Sequence, residues 1–163
     1  MTCSLQSSVL EQDYTMGNRP VKPGWITAKT ADINDLYERS VQCPESEVDL
    51  LLQAWDELRN RVPTFIREDF CGTSAVAREW VCRNSSNTVL GVDLDEGVLA
   101  WAQNKINKEL DEDQRSRVTL VNQDVMNVGS SPVECVLAMN FSYYGFKRRE
   151  DLKKYFASVH GDL

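Results

Sequence analysis

The chain has 163 residues, 42% of them hydrophobic, with 25 Asp and Glu against 18 Lys and Arg and a net charge of −7. That is enough for one domain with a real core, and the acidic balance excludes a basic, counterion-releasing surface, so nucleic acid is not expected as a partner. One histidine, His160, removes hydrolase triads and multi-histidine centres from the expected chemistry, and no metal is expected. Cysteines 3, 43, 71, 82 and 135 form no C-x-x-C pair, a usage that suits a reducing compartment. The sequence shows no basic and then apolar leader and no window of 18 apolar residues, so a soluble, cytoplasmic protein is expected, with no membrane contact.

Residues 1–30 are polar and broken by Gly17, Pro20, Pro23 and Gly24, which reads as an extended or partly ordered leader. Residues 31–62 read as a helical lid segment. Asp32 is placed to cap a short helix carrying Ile33, Leu36 and Tyr37, which ends at Cys43-Pro44. Ser46 is the expected cap of a second helix, with Glu47 and Asp49 in its first turn and Val48, Leu51, Leu52, Trp55 and Leu58 along one face. From 63 to 163, short strand-like runs alternate with longer helical ones, the mark of βαβ units around a parallel sheet. Strands are expected over 64–68, 88–93, 117–121 and 134–140, and helices over 74–83, 96–110 and 149–159. Gly129-Ser130-Ser131-Pro132 reads as a loop.

In such a sheet, ligands bind beyond the carboxyl ends of the strands. The first strand empties into Glu68-Asp69-Phe70-Cys71-Gly72-Thr73-Ser74, either a plain turn with a spacing glycine or a place where a ligand approaches the backbone and a helix N-terminus. Asp93 ends the second strand about 20 residues later, where nucleoside-binding Rossmann folds hold ribose hydroxyls. Asp95, just before Glu96-Gly97, is better placed as a helix cap. Asp124, beside Val125, suits an adenine amino group or a simple turn. The fourth strand leads into residues 138–146, where Asn140, Phe141, Tyr143, Tyr144 and Phe146 put an amide and aromatic rings at the mouth of the sheet. Phe141 and Phe146 also suit the core. Cys71 lacks a base, and its neighbours Glu68 and Asp69 oppose a thiolate, so it reads as a small packed residue rather than a nucleophile.

Taken together, Ile66-Arg67-Glu68-Asp69-Phe70-Cys71-Gly72-Thr73-Ser74, Gly91-Val92-Asp93-Leu94-Asp95 and Asn140-Phe141-Ser142-Tyr143 resemble the class I S-adenosylmethionine-dependent methyltransferases. The likeness is to a mainly bacterial subgroup with an R-E-D-F-C-G-T motif. It extends upstream through the run Asp35-Leu36-Tyr37-Glu38-Arg39-Ser40-Val41-Gln42-Cys43-Pro44-Glu45 and covers roughly residues 30–160. The resemblance implies an α/β, Rossmann-like parallel sheet with flanking helices, here its first four strands in the order 3-2-1-4, and S-adenosyl-L-methionine as cofactor. It implies that Glu68, Phe70, Cys71 and Gly72, with Thr73 beside them, line the methionine half. Asp93 would then hold the ribose, Leu94 would touch the adenine, and Asp124 and Val125 would bind its edge. Asn140 and Tyr143 are the expected catalytic residues, with Asn140 also at the cofactor and Tyr37, Tyr143 and Tyr144 at the acceptor, a small molecule.

Phe70 and Ser74 stand where the general class pattern has its first and third glycines. The sequence also stops after the helix following the fourth strand, where a class I domain continues into further strands. That strand would lie at an edge although Val136, Leu137, Ala138 and Met139 are apolar. The expectation is therefore a shortened form of the domain, or an edge covered by a second copy or another chain. The rival function is a noncatalytic cofactor-binding or partner-binding module. A dinucleotide oxidoreductase is disfavoured, because Gly72 alone does not make G-x-G-x-x-G.

Overall fold

The computed structural model describes residues 26–128, 132–140 and 142–163. Residues 1–25 of the expected leader, residues 129–131 of the expected loop and Phe141 lie outside the described residues. The chain divides into two units, Met1–Ala31 and Asp32–Leu163. Within the first, the described residues carry a turn in which the Ala31 N–H donates to the Thr27 carbonyl at 2.8 Å.

The second unit holds α1 (Ile33–Val41), α2 (Pro44–Arg59), β1 (Phe65–Asp69), α3 (Ala75–Arg83), β2 (Thr88–Asp93), α4 (Glu96–Glu109), α5 (Glu112–Ser116), β3 (Val118–Asn122), β4 (Cys135–Leu137) and α6 (Arg149–Asp162). The four strands are all parallel and ordered β3-β2-β1-β4. Parallel neighbours need crossovers, and here α3 joins β1 to β2 while α4 and α5 join β2 to β3.

Alternation along β1 distributes its side chains between the two faces of the sheet. On one face Ile66 joins a core of Val48 and Leu51 from α2, Val76, Ala77, Trp80 and Val81 from α3, Val89 from β2, and Ile106 with Leu110 from α4 and its end. The other face meets α6, where Tyr155 packs with Val92, Val125 and Phe70. Arg67 and Asp69 are charged residues in a central strand, and each is about 1% exposed. They are tolerated because each finds partners. The Arg67 guanidinium donates to Asp69 Oδ1 at 2.8 Å and to Asp162 Oδ2 at 2.6 Å, and the Tyr155 hydroxyl donates to Asp69 Oδ2 at 2.8 Å. The middle of α6, at Tyr155, and its last residue, Asp162, are thereby fixed to β1.

Most elements start and end within a few residues of the sequence expectation, and the larger differences are at α2, α5 and β4. Asp32 and Asp95 do cap α1 and α4 through their side chains. Helix α2, however, starts earlier than expected, with Cys43 at the cap, Pro44 in its first turn and no side-chain cap bond, so Ser46 lies inside it. Helix α5, closed by a reciprocal capping box between Asp111 and Gln114, was not anticipated. The fourth strand was expected over 134–140 but pairs only at Cys135–Leu137, opposite Ile66, Arg67 and Glu68. The physical reasons lie at both ends. The Glu134 carboxylate accepts from the N–H groups of Thr64 and Phe65 and from Arg61, which holds its carboxyl down at about 2. Beyond Leu137 the chain turns at Asn140, whose φ is 53°, and enters a 3-10 turn over Ser142–Gly145.

Candidate functional site

The site lies at the carboxyl ends of β1 and β2. After Asp69 the backbone enters the left-handed region three times, at Phe70 (φ 59°), Gly72 (φ 51°) and Ser74 (φ 57°). Only Gly72 does so without a steric cost. The turn is held by its neighbours. The Cys71 N–H donates to the Val92 carbonyl at 3.0 Å, and the Gly72 N–H donates to Asp93 Oδ2 at 2.8 Å. Gly91 makes room for this, since a Cβ there would lie 3.0 Å from Cys71 Sγ and 2.8 Å from Leu120 Cδ2. A side chain on β2 at this point would have to displace the Leu120 and Cys71 side chains.

Glu68, at the end of β1, is 3% exposed, and its Oε2 has no hydrogen-bond partner among the described residues. Burial, with the Glu47 carboxylate beside it, pushes its carboxyl up to about 8, against a hydrogen bond from the Ala77 N–H in the first turn of α3. Glu47 comes from α2. Its carboxyl is also raised by burial, against hydrogen bonds from the Cys43 backbone and the Asn140 side chain, and its Oε2 is likewise buried and unpartnered. Asp93, Glu68, Glu47 and Asn140 are therefore drawn together from four separate segments. Burial drives the Cys71 thiol well above its usual range, helped by Glu68 and Asp93, so it stays protonated and packed.

The remaining expected residues fall in distinct places. The Thr73 hydroxyl donates to Gln42 Oε1 at the end of α1 at 2.6 Å. Leu94 is 71% exposed, just beyond Asp93. Asp124 is exposed and its Oδ1 accepts from the Met126 N–H, a turn contact. Val125 is buried against Val92 and Tyr155. Phe70 is half-buried in an aromatic group with Phe146 at 6.0 Å and Tyr155 at 5.8 Å between ring centres. Tyr143 stands edge-on to Tyr144 at 5.0 Å and near Phe156 at 6.5 Å, and Tyr144 and Phe156 are exposed. Tyr37 is exposed on α1.

Two residues that sequence reasoning passed over are structurally prominent here. Glu47 looked like an ordinary acidic residue of a first helical turn, and its pattern carries no other signal. Arg78, on which the sequence analysis is silent, is buried, donating to the Thr73 carbonyl at 2.8 Å and to Glu38 Oε1 at 2.8 Å, and pairing with Glu109 at 3.0 Å. A separate groove of about 650 Å3 lies along the β4 edge, lined by Trp55, Arg61, Glu134 and Val136, away from the Gly72 turn. Among the described residues no group of three or more His, Cys, Asp or Glu side chains could hold a metal ion, and no helix is long and apolar enough to cross a membrane.

No protein-family model and no curated protein matches the chain. Solved structures do. An S-adenosylmethionine-dependent methyltransferase from Clostridium acetobutylicum superposes with a TM-score of 0.65 at 22% identity, over 79% of this chain and 51% of that one. The calicheamicin amino pentose methyltransferase CalS10 of Micromonospora echinaspora gives 0.63 at 15%, over 79% and 50%. The glycopeptide N-methyltransferase MtfA gives 0.58 at 19%, over 74% and 56%. The fold is thus the Rossmann-like fold of these methyltransferases, and the chain spans about half the length of the structures it matches.

Proposed function

We propose that the chain binds S-adenosyl-L-methionine and is an S-adenosylmethionine-dependent methyltransferase that transfers a methyl group to a small-molecule acceptor. The observation that carries this is the Asp93 carboxylate at the tip of β2, bonded to the Gly72 N–H of the β1 turn. A carboxylate has about four acceptor sites. Asp93 spends two, on Gly72 and on the Asp95 N–H at 2.9 Å, and keeps capacity for ribose hydroxyls. The residues fit the cofactor: a buried, unpartnered Glu68 oxygen sits beside a turn whose close approach to β2 depends on Gly91. The fold supports the same assignment, since CalS10 was solved with S-adenosylmethionine bound and MtfA with S-adenosylmethionine, S-adenosylhomocysteine or sinefungin.

When bound, the cofactor supplies an electrophilic methyl group on sulfur. Displacement at that carbon asks the protein chiefly for alignment and exclusion of water. We assign Glu68, Phe70, Cys71, Gly72 and Thr73 to the amino-acid half, Leu94, Asp124 and Val125 to the adenine, Asn140 and Tyr143 to alignment of the acceptor, and Tyr37 and Tyr144 to its binding. Four described cysteines are free thiols, in keeping with a cytoplasmic location. Calorimetric titration of S-adenosylmethionine into the folded chain and into Asp93→Asn is the test. Binding that falls at least about tenfold in the variant supports the assignment, since a lost charged hydrogen bond costs about 1.5–3 kcal/mol. A folded wild-type chain that binds nothing refutes it.

A second reading, a noncatalytic cofactor-binding or partner-binding module, is favoured by β4 lying at an edge of the sheet. It predicts cofactor binding with no methyl transfer to any amine, hydroxyl or thiol acceptor. It also predicts a dimer or a complex on size-exclusion chromatography, with a second copy or another chain along β4.

A further inference from the structure

The segment from Lys147 to Lys154 carries five basic and two acidic side chains, a net charge of +3, in a chain whose total is −7, so the other residues together carry −10. It starts at the same end of the sheet as the Gly72 turn. The 3-10 turn over Ser142–Gly145 follows the carboxyl end of β4, and α6 then runs back until the Asp162 carbonyl accepts from the Val133 N–H, before β4 begins. On α6, Arg149, Lys153 and Phe156 are spaced by four and then three residues, which puts them on one helical face, and all three are exposed. Of the two acids, Asp151 is held by Arg148 at 2.7 Å and Glu150 is exposed in the first turn of α6. Arg149, Lys153 and Lys154 form no ion pair with any described residue.

Exposed aromatic rings lie beside these cations. Tyr144 is 61% and Phe156 53% exposed, and both rings border Tyr143, at 5.0 and 6.5 Å between centres. The Lys147 ammonium donates to the Tyr144 carbonyl at 3.2 Å, which holds a further cation at the rim of the rings. The rings continue inwards to the β1 turn, from Phe156 to Tyr155 at 5.4 Å and from Tyr155 to Phe70 at 5.8 Å. Clustered apolar surface exposed beside charge marks a binding surface. A flat apolar body stacks on such rings, and a carboxylate or phosphate answers Lys and Arg. An extended polyanion, nucleic acid or an anionic membrane, would also face the negative charge of the rest of the chain, whereas a small anion meets the patch alone.

We propose that this surface selects the methyl acceptor and that the acceptor is a small aromatic anion, its ring on Tyr144 and Phe156 and its carboxylate or phosphate beside Lys147, Arg149 and Lys153. The proposal rests on the methyltransferase assignment above and narrows its acceptor to a chemical class. The aromatic rings supply a platform that tolerates many flat molecules, and the three cations supply the discrimination against neutral ones.

The probes are 2-naphthoate, 2-naphthyl phosphate, the neutral 2-naphthamide and S-adenosylhomocysteine, each titrated calorimetrically into the chain. At least one naphthyl anion is expected to bind about tenfold more tightly than the amide, and the tighter of the two identifies the anionic group. The triple variant Lys147→Gln, Arg149→Gln, Lys153→Gln changes exposed side chains only and is expected to unfold as the wild type does. It should weaken the naphthyl anions about tenfold, through the loss of three exposed charge contacts, and leave the amide and S-adenosylhomocysteine within about twofold. Phe156→Ala should weaken anions and amide alike. A chain that binds S-adenosylhomocysteine but prefers no naphthyl anion over the amide, or whose preference survives the triple variant, overturns the acceptor class and leaves the methyltransferase assignment intact. Binding to vesicles of phosphatidylserine and phosphatidylcholine with no binding of either naphthyl anion also overturns it, giving the surface to a membrane. A folded chain that binds a naphthyl anion but no S-adenosylhomocysteine overturns the methyltransferase assignment and the acceptor role together.

Discussion

Helices α1 and α3 are each nine residues long, yet α3 buries six residues and α1 buries none. Helix α3 is clamped between β1, β2 and α2, with Trp80 fully enclosed and its indole N–H donating to the Thr88 carbonyl at 3.1 Å. Helix α1 turns its polar side to the body of the unit. Asp32 accepts from the Trp101 indole at 2.7 Å, Glu38 from Arg78 at 2.8 Å and Gln42 from Thr73 at 2.6 Å, while Ile33, Leu36, Tyr37 and Val41 face outwards. An apolar stripe on a helix ordinarily faces the core. Here stability comes from ion pairs and hydrogen bonds, each weaker than the burial of one aromatic side chain. The contrast teaches that α3 belongs to the cooperative core, whereas α1 is an element that local opening reaches first.

The largest expected effect is therefore on α3. Trp80→Ala should cost about 3–5 kcal/mol in denaturant unfolding, the range for deleting a buried aromatic ring; a loss below about 1 kcal/mol would remove α3 from the core. Next comes the carboxyl that meets the first turn of α3. The Glu68 carboxyl is raised to about 8 in the folded chain from 4.5, so the folded state holds an extra proton between those values. The stability it confers is complete below pH 4.5 and is lost as pH rises through about 8. In the ligand-free chain, unfolding free energy should fall across that window, and Glu68→Gln should flatten the slope.

Arg78→Met removes the link between the two helices, since Glu38 and Glu109 lose their partner and the Thr73 carbonyl loses a donor. About 1–2 kcal/mol is expected, together with faster amide hydrogen exchange over α1 and little change over α3. Unchanged exchange over α1 would show that the link does not hold it. Ser74→Gly should stabilise by about 1 kcal/mol, because a left-handed residue at the cap of α3 loses its steric cost. Smallest of all, Ile33→Ala should lie within about 0.5 kcal/mol of wild type, since that side chain is 78% exposed.

The class of fold was legible because patterning carries it: β2 was placed over the same residues by its apolar run, and β1 and β3 within one residue at each end. The strand order 3-2-1-4, by contrast, came from the family likeness and was met in the structure. Strand β4 was overread, because Ala138 and Met139 are apolar but pairing with β1 ends at Leu137, before the turn at Asn140. The turn itself stood out through Gly72 and Asp93. What no pattern displayed was that positions 70 and 74 keep the left-handed backbone without glycine, held there by contacts from β2 and α3.

By itself the sequence determined the alternation of strand and helix, the caps at Asp32 and Asp95, and the carboxylate at Asp93, because these rest on periodicity and on hydrogen bonds between residues close in the chain. Only the tertiary structure decided that Arg67, Asp69, Tyr155 and Asp162 form one buried network, that α1 faces inwards with its polar side, and that Glu47 meets Glu68. Those arrangements bring together residues tens of positions apart in a medium where a charge is stable only if it is paired. Partners of that kind are chosen by packing, after the local structure has formed.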